Sequence, residues 1–279
     1  MSVNASHAPA VIDPLDPAAR EFYCHTLSLL NRAGLEYLIG GAYAFARYTG
    51  IERHTKDFDI FVRRADFERV LAALGAAGYK TEATFPHWLG KAYYRDYFVD
   101  VIFGSGNGLA QVDDEWFENS MPEEVLGMPV RLVPPEEMIW SKAFIQERER
   151  FDGADIAHLL LARAPSLDWQ RLVRRFGSHW RVLFAHLVLF EHIYPSERSR
   201  LPSWVLRGLT RRFEASESAP SPTERVCHGT LLSRQQYLVD VEEWGFTDAR
   251  THPDNPMTDA DIAVWTAGIA TDGACDTSA

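Results

Sequence analysis

Apolar positions recur along the first half of the chain with two spacings, which predict alternating helices and strands. Asp16 and Pro17 suit the N-cap and the first position of a helix, and apolar residues at helical spacing continue it to about Arg32. A second amphipathic helix is predicted to begin at Ala65 and Asp66. Apolar runs and alternating residues predict strands at 36–39, 57–62, 79–85, 92–104 and 127–133.

The second half of the chain has helical spacing almost throughout. Helices are predicted at 136–150, 151–162, 169–176, 180–194, 204–213 and 223–239. We therefore predict an α+β fold, with a small mixed β-sheet flanked by helices and followed by a helical C-terminal region. Pattern and composition divide the chain into a mobile segment 1–16, an α+β domain 17–162, a helical region 163–244 and a polar tail 245–279 that is poorly ordered in parts.

The composition is that of a soluble globular protein, since 46% of the residues are hydrophobic and 24% are charged. Cys24, Cys227 and Cys275 are far apart, so neither a disulfide framework nor a zinc site is expected and a reducing compartment fits. We see neither a signal peptide nor an apolar stretch long enough to cross a membrane. These features predict a cytoplasmic protein.

The net charge of −11 is unevenly distributed, because residues 163–212 carry ten arginines against three acidic residues while both flanks are acidic. The overall acidity argues against general nucleic-acid binding. Arg171, Arg174, Arg175 and Arg181 could form one basic face that binds a polyanionic acceptor. Alternatively, this face is solvated or packs against the acidic tail.

The segment 39–62 contains a closely spaced pair of carboxylates. Asp57 and Asp59 alternate with Phe58 and Ile60, so a strand would place both carboxylates on one face and bury the apolar side chains on the other. Two charges roughly 6.5 Å apart along a strand repel by about 2.5 kcal/mol at an effective dielectric constant of about 20. A shared cation would remove this cost, which points to a metal site.

Gly40 and Gly41 precede this pair and follow an apolar run. A helix that begins just after Gly41 would direct its free amides at an anion, and glycines would let the backbone approach a triphosphate. The alternative is an ordinary strand-to-helix turn. Asp100, between Val99 and Val101, is either a third carboxylate of the same site or an acid at an exposed sheet edge.

Two glycines, an Asp-x-Asp strand and a later strand aspartate, in this order, resemble the nucleotidyltransferase superfamily, which includes polymerase beta and the antibiotic nucleotidyltransferases. The form GGAYAF…ERHTKDFDIFV is most similar to AbiEii-type and Men-type toxin nucleotidyltransferases. The resemblance covers residues 36–160. It implies a nucleotidyltransferase fold in which Asp57, Asp59 and Asp100 are the catalytic, metal-binding carboxylates.

A second block, SKAFIQERERFDGADIAHLL, resembles the corresponding block of the same toxins. By this resemblance Lys142 contacts the nucleotide phosphates, and Asp152 or Asp155 lies near the site. Alternatively, Lys142 faces solvent and the two aspartates only favour a helix N-terminus. Arg53 and Lys56 could neutralise charge that develops on the phosphates, or pair with neighbouring acids.

The resemblance implies a metal-dependent enzyme in which an acceptor hydroxyl attacks the α-phosphate of a nucleoside triphosphate and pyrophosphate leaves. Mg²⁺, or Mn²⁺, would bind to Asp57 and Asp59, and a second ion would bind to these two and Asp100. Gly40 and Gly41 would hold the β- and γ-phosphates. Arg53, Lys56 and Lys142 would also contact the nucleotide.

The acceptor could be a small molecule such as an aminoglycoside or a lincosamide, the 3′ end of an RNA such as a tRNA, or a protein side chain. A toxin would also have an antitoxin protein as partner. No membrane partner is expected. A second hypothesis is a catalytically silent nucleotidyltransferase-like protein that binds nucleotides as a sensor or partner subunit. A non-enzymatic structural domain is a third. The presence of all three carboxylates favours the enzyme.

Overall fold

The computed structural model describes residues 15–53, 57–253 and 255–267 of the chain. The first element is the predicted helix: α1 spans Pro17–Arg32, and the Asp16 carboxylate accepts a hydrogen bond from the Ala18 amide at 2.7 Å. This cap satisfies an amide that the helix leaves unpaired. Most of the predicted mobile segment, together with Lys56 and Cys275, lies outside the described residues.

A seven-stranded mixed sheet forms the centre of the molecule, with the strands in the order β3-β4-β5-β2-β1-β7-β6. The strands are β1 Leu38–Ile39, β2 Asp57–Phe61, β3 Lys80–Phe85, β4 Leu89–Tyr94, β5 Tyr97–Ile102, β6 Met121–Val125 and β7 Met128–Leu132. β2 is parallel to β5, and β1 is parallel to β7. The other neighbouring pairs are antiparallel. The two aspartate-bearing strands, β2 and β5, are therefore adjacent and internal.

Helices flank this sheet and then continue the chain beyond it. They are α2 Gly41–Thr49, α3 Phe67–Ala76, α4 Asp114–Glu118, α5 Pro135–Ala143, α6 Gly153–Arg163, α7 Trp169–Phe176, α8 Trp180–Ile193 and α9 Ser203–Glu217. α3 packs against α1 and strands β3 to β5, whereas α6 packs against α2, α5 and α8. The predicted α+β class, with a mixed sheet flanked by helices and followed by a helical region, is confirmed.

One predicted strand is wrong, because residues 92–104 form parts of two strands. β4 and β5 make an antiparallel hairpin in which Tyr94 pairs with Tyr97 across the turn at Arg95 and Asp96. Arg95 adopts a left-handed conformation with φ of 56°. Such turns normally carry glycine or asparagine, so the sequence lacked the usual hairpin signal. The error concealed Lys91, which lies on β4 opposite Asp100.

The helix predicted at 136–150 is shorter than expected, since α5 ends at Ala143. The chain then turns back on itself, and Gln146 pairs with Phe151 in an isolated bridge. The Gln146 amide also donates to the Leu232 carbonyl at 3.0 Å. Tertiary contacts therefore replace the local helix in this segment. β6 was not predicted, because it is exposed except at Val125 and lacks an apolar face.

The segment 223–239, predicted as one helix, is mostly irregular and the prediction is wrong. It contains the short strand β8 Val226–Cys227 and a 3-10 turn at His228–Leu231, and α10 Leu238–Glu242 begins only at its end. Gly229 disfavours a continuous helix. A side chain at Gly229 would also overlap the Tyr237 ring.

The expected polar tail contains regular structure in the part of it that is described. β9 Thr247–Asp248 pairs in parallel with β8, and α11 Asp259–Ala267 contacts β3. Arg250, which is 0% exposed, pairs with Asp248 at 2.6 Å. Composition predicted partial disorder here because polar and acidic residues dominate. However, Arg250 finds a partner within the segment, and Asn255 donates to the Asn107 carbonyl on the rest of the protein. The predicted domain boundaries remain predictions.

The arginines of α7 pair with acidic residues of the α+β part. Arg171 lies 2.5 Å from Glu136, Arg174 lies 2.8 Å from Glu115, and a third pair joins Arg175 to Asp113. Arg171, Arg174 and Arg175 are therefore neutralised by acidic residues from 113–137. None of the helices in the described ranges combines the length and apolar character needed to cross a membrane.

Candidate active site

The parallel pairing of β2 with β5 brings the candidate carboxylates together. Asp59 lies directly opposite Asp100 in the ladder, and Asp57 precedes Asp59 by two residues on the same face. Phe58 and Ile60 are 0% exposed on the other face, as the alternation predicted. Three aspartates thus face one side of two neighbouring internal strands.

The glycine turn lies against this carboxylate group. The Gly40 amide donates to the Asp59 carbonyl at 3.0 Å, and Gly41 adopts a left-handed φ of 51°. A Cβ atom on Gly41 would overlap the Asp59 carboxylate, and one on Gly40 would overlap the Phe61 ring. The close approach that requires glycine here is therefore one between the turn and the protein's own β2 strand. α2 begins at Gly41, so its free N-terminal amides lie beside Asp59.

The crowding of the aspartates changes their acidity. Burial, and then the charges of Asp100 and Asp57, raise the pKa of Asp59 to about 7. Burial also raises the pKa of Asp100, although Lys91 opposes this effect. Carboxylates with such pKa values are costly to ionise without a nearby cation, which is the condition that a metal ion or an ammonium relieves.

A lysine that sequence reasoning missed lies beside the third carboxylate. Lys91 is opposite Asp100 in the antiparallel β4–β5 ladder, and its Nζ lies 2.7 Å from Asp100 Oδ1. The Lys91 and Asp100 side chains are 20% and 13% exposed. Nζ also lies 3.9 Å from the centroid of the Phe98 ring. A correct hairpin prediction with its register would have found this pair.

A second group of cations lies near Asp59. Lys142, at the end of α5, contacts Asp152 at 2.6 Å and Asp155 at 2.8 Å. Arg150, also missed from the sequence, contacts Asp152 at 3.0 Å. The charges of Lys142 and Arg150 lower the pKa of Asp59 and so oppose the effects that raise it. The Lys142 side chain is only 16% exposed, which does not fit a solvent-facing helix lysine.

Arg53 is paired with an acidic side chain. Its guanidinium pairs with Asp155 and lies 4.5 Å from the centroid of the Phe45 ring. Asp155 therefore contacts both Arg53 and Lys142. For Arg53 this is the second of the two roles considered above, pairing with a neighbouring acid. Lys56 lies outside the described residues.

A cavity of about 330 Å³ connects these features. Its walls include Gly41, the three aspartates, Lys142 and Arg150, but not Arg53. A further wall consists of Trp88, the loop 104–107, the segment 230–234 and Trp265. This wall was not predicted, because its parts are far apart in sequence and carry no recognisable motif. Gly41, the three aspartates and Lys142 thus share one cavity with the C-terminal segment.

The donor set fits a divalent cation at two of the aspartates. Carboxylate oxygens are the ligands that Mg²⁺ and Mn²⁺ prefer, and these ions bind through one or two carboxylates together with phosphates and water. Within the described residues, no three His, Cys, Asp or Glu side chains are grouped so that they could hold one ion. Asp57 and Asp59 supply the pair, whereas Asp100 Oδ1 is engaged by Lys91.

Internal strands that carry an Asp-x-Asp pair and a third aspartate beside a glycine turn are the pattern of a nucleotidyltransferase. The chain belongs to the family described as "Uncharacterised nucleotidyltransferase", whose model matches residues 28–190, more than half of its length. Nucleotidyltransferases of this kind generally use divalent metal ions. No curated protein matches the sequence.

Several solved structures are similar to this chain at low identity. The antibiotic-resistance factor ANT(2'')-Ia is 17% identical over 73% of this chain and 97% of its own, with a TM-score of 0.39. The lincosamide antibiotic adenylyltransferase LnuA is 18% identical over 50% and 94%, with a TM-score of 0.37. An antigenic nucleotidyltransferase-like protein from Paracoccidioides brasiliensis is 14% identical over 69% and 98%, with a TM-score of 0.47.

Proposed function

We propose that this protein is a metal-dependent nucleotidyltransferase that moves a nucleoside monophosphate from a nucleoside triphosphate to an acceptor hydroxyl. The observation that carries the proposal is the register of β2 and β5, which places Asp57, Asp59 and Asp100 on one cavity beside the N-terminus of α2. Membership of a nucleotidyltransferase family supports it. A structural domain without a ligand would have no use for three half-buried carboxylates on one face of two neighbouring strands.

Asp57 and Asp59 would hold the divalent cation, Mg²⁺ or Mn²⁺. When bound, the ion would neutralise the triphosphate and stabilise the charge that develops on it. The α2 N-terminus at Gly40 and Gly41 offers free amides to phosphate oxygens. Lys142 and Arg150 add positive charge on the same wall of the cavity. We assign both of these side chains to triphosphate binding, and Arg53 to holding Asp155 in its contact with Lys142.

In the proposed reaction the acceptor oxygen forms a bond to the α-phosphorus while the bond from that phosphorus to the bridging oxygen breaks and pyrophosphate leaves. The proton of the acceptor hydroxyl passes to Asp100, the remaining carboxylate of the cavity. Asp100 lines the cavity together with residues of the C-terminal segment, and we place the acceptor beside that segment. The nucleotide lies on the side of Gly41 and Lys142.

For the acceptor we favour a small molecule, such as an aminoglycoside, over the 3′ end of a tRNA. The α7 arginines that could have bound RNA are paired with Glu136, Glu115 and Asp113. A toxin role with an antitoxin partner, as in AbiEii-type and Men-type enzymes, and a cytoplasmic location remain predictions from the sequence. The catalytically silent alternative also remains, since Lys91 engages the third carboxylate.

The test is the transfer of label from each of the four α-labelled nucleoside triphosphates, with Mg²⁺, to pooled tRNA and to a panel of aminoglycosides and lincosamides. Pyrophosphate release is measured in parallel. We expect labelled product in one acceptor arm, and a loss of about 100-fold or more in Asp57→Asn and Asp59→Asn.

Asp96→Asn is the matched control, because Asp96 lies exposed in the β4–β5 turn beside the same strands. This variant should keep full activity. Nucleotide binding without any transfer or pyrophosphate release would support the silent sensor. The absence of both binding and transfer would contradict the proposal.

A further inference from the structure

The Lys91–Asp100 ion pair lies where a second metal ion was expected. In the β4–β5 ladder the two residues are directly opposite each other, so the pair is set by strand register and does not depend on a mobile loop. Nζ and Oδ1 are 2.7 Å apart, and both side chains are largely buried. Burying an ammonium is costly unless it is paired. The position of the Lys91 ammonium against Asp100 therefore indicates that its charge neutralises this carboxylate.

Positively charged side chains act on two different aspartates of the site. Lys142 and Arg150 act on Asp59, whereas Lys91 acts on Asp100. The Phe98 ring lies beneath the Lys91 ammonium at 3.9 Å and favours its position over the ring face. The described aspartates do not form a three-carboxylate group around one point. A second divalent ion at Asp100 would lie beside the Lys91 ammonium that already engages Oδ1, and the two positive charges would repel each other.

We propose that the Lys91 ammonium takes the place of the second divalent cation at Asp100, so that the chain binds a single divalent ion, at Asp57 and Asp59. This inference rests on the proposed nucleotidyl transfer and specifies its metal requirement. Lys91 is a positioning residue, since it acts through Asp100. Its ammonium donates to Oδ1, which leaves Oδ2 to accept the proton of the acceptor hydroxyl.

The experiment counts Mn²⁺ ions bound per chain by electron paramagnetic resonance, with the full chain and each of the four α,β-methylene nucleoside triphosphate analogues. These analogues bind but cannot release pyrophosphate. The variants are Lys91→Met, which removes the charge, and Lys91→Arg, which keeps it. Lys80→Met is the matched control, because Lys80 lies exposed on the adjacent strand β3 beside Tyr93. Circular dichroism verifies that each variant is folded.

We expect one Mn²⁺ ion per chain in the wild type, Lys91→Arg and Lys80→Met, and two in Lys91→Met, because Asp100 is then free to bind the second. Two ions in the wild type would overturn the inference and leave the proposed function intact. One ion in folded Lys91→Met would also overturn it. No bound Mn²⁺ in the wild type with any analogue would contradict the proposed function itself. The wild-type count needs no variant, so a Lys91→Met protein that failed to fold would not prevent the test.

Discussion

Gly41 lies where the turn before α2 meets the Asp59 carboxylate, and both its conformation and its lack of a side chain matter there. Its φ of 51° is unfavourable for other residues, and a Cβ atom would overlap Asp59. Gly50, at the other end of α2, has a similar φ of 73° but no atom within 4 Å of its missing Cβ. Substitution of Gly50 therefore tests backbone strain alone, whereas substitution of Gly41 tests backbone strain together with steric contact with the site.

We expect Gly41→Ala to lose about 100-fold in nucleotidyl transfer, because the added methyl group displaces the Asp59 carboxylate from its position beside Asp57 and Asp100. Its free energy of unfolding should fall by about 1–3 kcal/mol beyond the cost of left-handed backbone alone. Denaturant unfolding and transfer assays measure both effects. Gly50→Ala should cost about 1 kcal/mol and keep its activity. Equal activities in the two variants would contradict the steric argument.

Helices α5 and α7 are joined by buried ion pairs, and α5 carries Lys142 to the cavity. Arg171 is 6% exposed and lies 2.5 Å from Glu136, which is 5% exposed. The Glu136 carboxylate also accepts from the Asp168 amide at 2.6 Å, next to the start of α7. Arg174 on the same helix makes an exposed pair with Glu115. One helix therefore offers a buried and an exposed pair for comparison.

Arg171→Met should lower the free energy of unfolding by about 3–5 kcal/mol, because it leaves Glu136 buried without its partner. The matched variant Arg174→Met should change it by about 1 kcal/mol or less, since solvent screens the exposed pair. Denaturant unfolding at neutral pH measures both values. If the two variants lose the same stability, the α5–α7 junction does not depend on the buried pair.

In the whole molecule, the C-terminal segment and the sheet line the same cavity. Asn107 donates to the Leu231 carbonyl at 2.8 Å, and Asn255 donates to the Asn107 carbonyl at 2.9 Å. Trp265 on α11 lies 5.3 Å from the Trp88 ring and packs on Gly106, where a side chain would overlap it. Residues more than 100 positions apart in sequence thus form one wall.

Trp265→Ala should loosen this wall locally. We expect amide hydrogen exchange in the loop 104–108 to rise by about 30-fold, which corresponds to about 2 kcal/mol of lost packing. The Gly108 amide, which donates to the Ser105 carbonyl at 2.8 Å, is a suitable probe. Val264→Ala is the control, because Val264 is 45% exposed on the same helix. Equal exchange in both variants would show that α11 does not support the loop.

Local patterns predicted much of the fold. The Asp16 cap and Pro17 marked α1, and the alternation around Asp57 and Asp59 marked β2 with its buried face. Predictions were wrong where the local signal was weak, as at the β4–β5 turn, or where distant contacts replaced a helix, as at 144–152 and 223–237. Intrinsic preferences of about 1 kcal/mol or less per residue are easily overridden by such contacts.

The sequence by itself determined the class of protein, because the glycine turn and the Asp-x-Asp strand depend on short-range backbone geometry that a local pattern encodes. It also placed Asp57 and Asp59 on one strand face. Only the tertiary structure decided that Asp100 lies opposite Asp59, that Lys91 pairs with Asp100, and that Trp265 and the segment 230–234 complete the cavity. These relations depend on strand register and on packing between distant segments, and no spacing within a single segment records them.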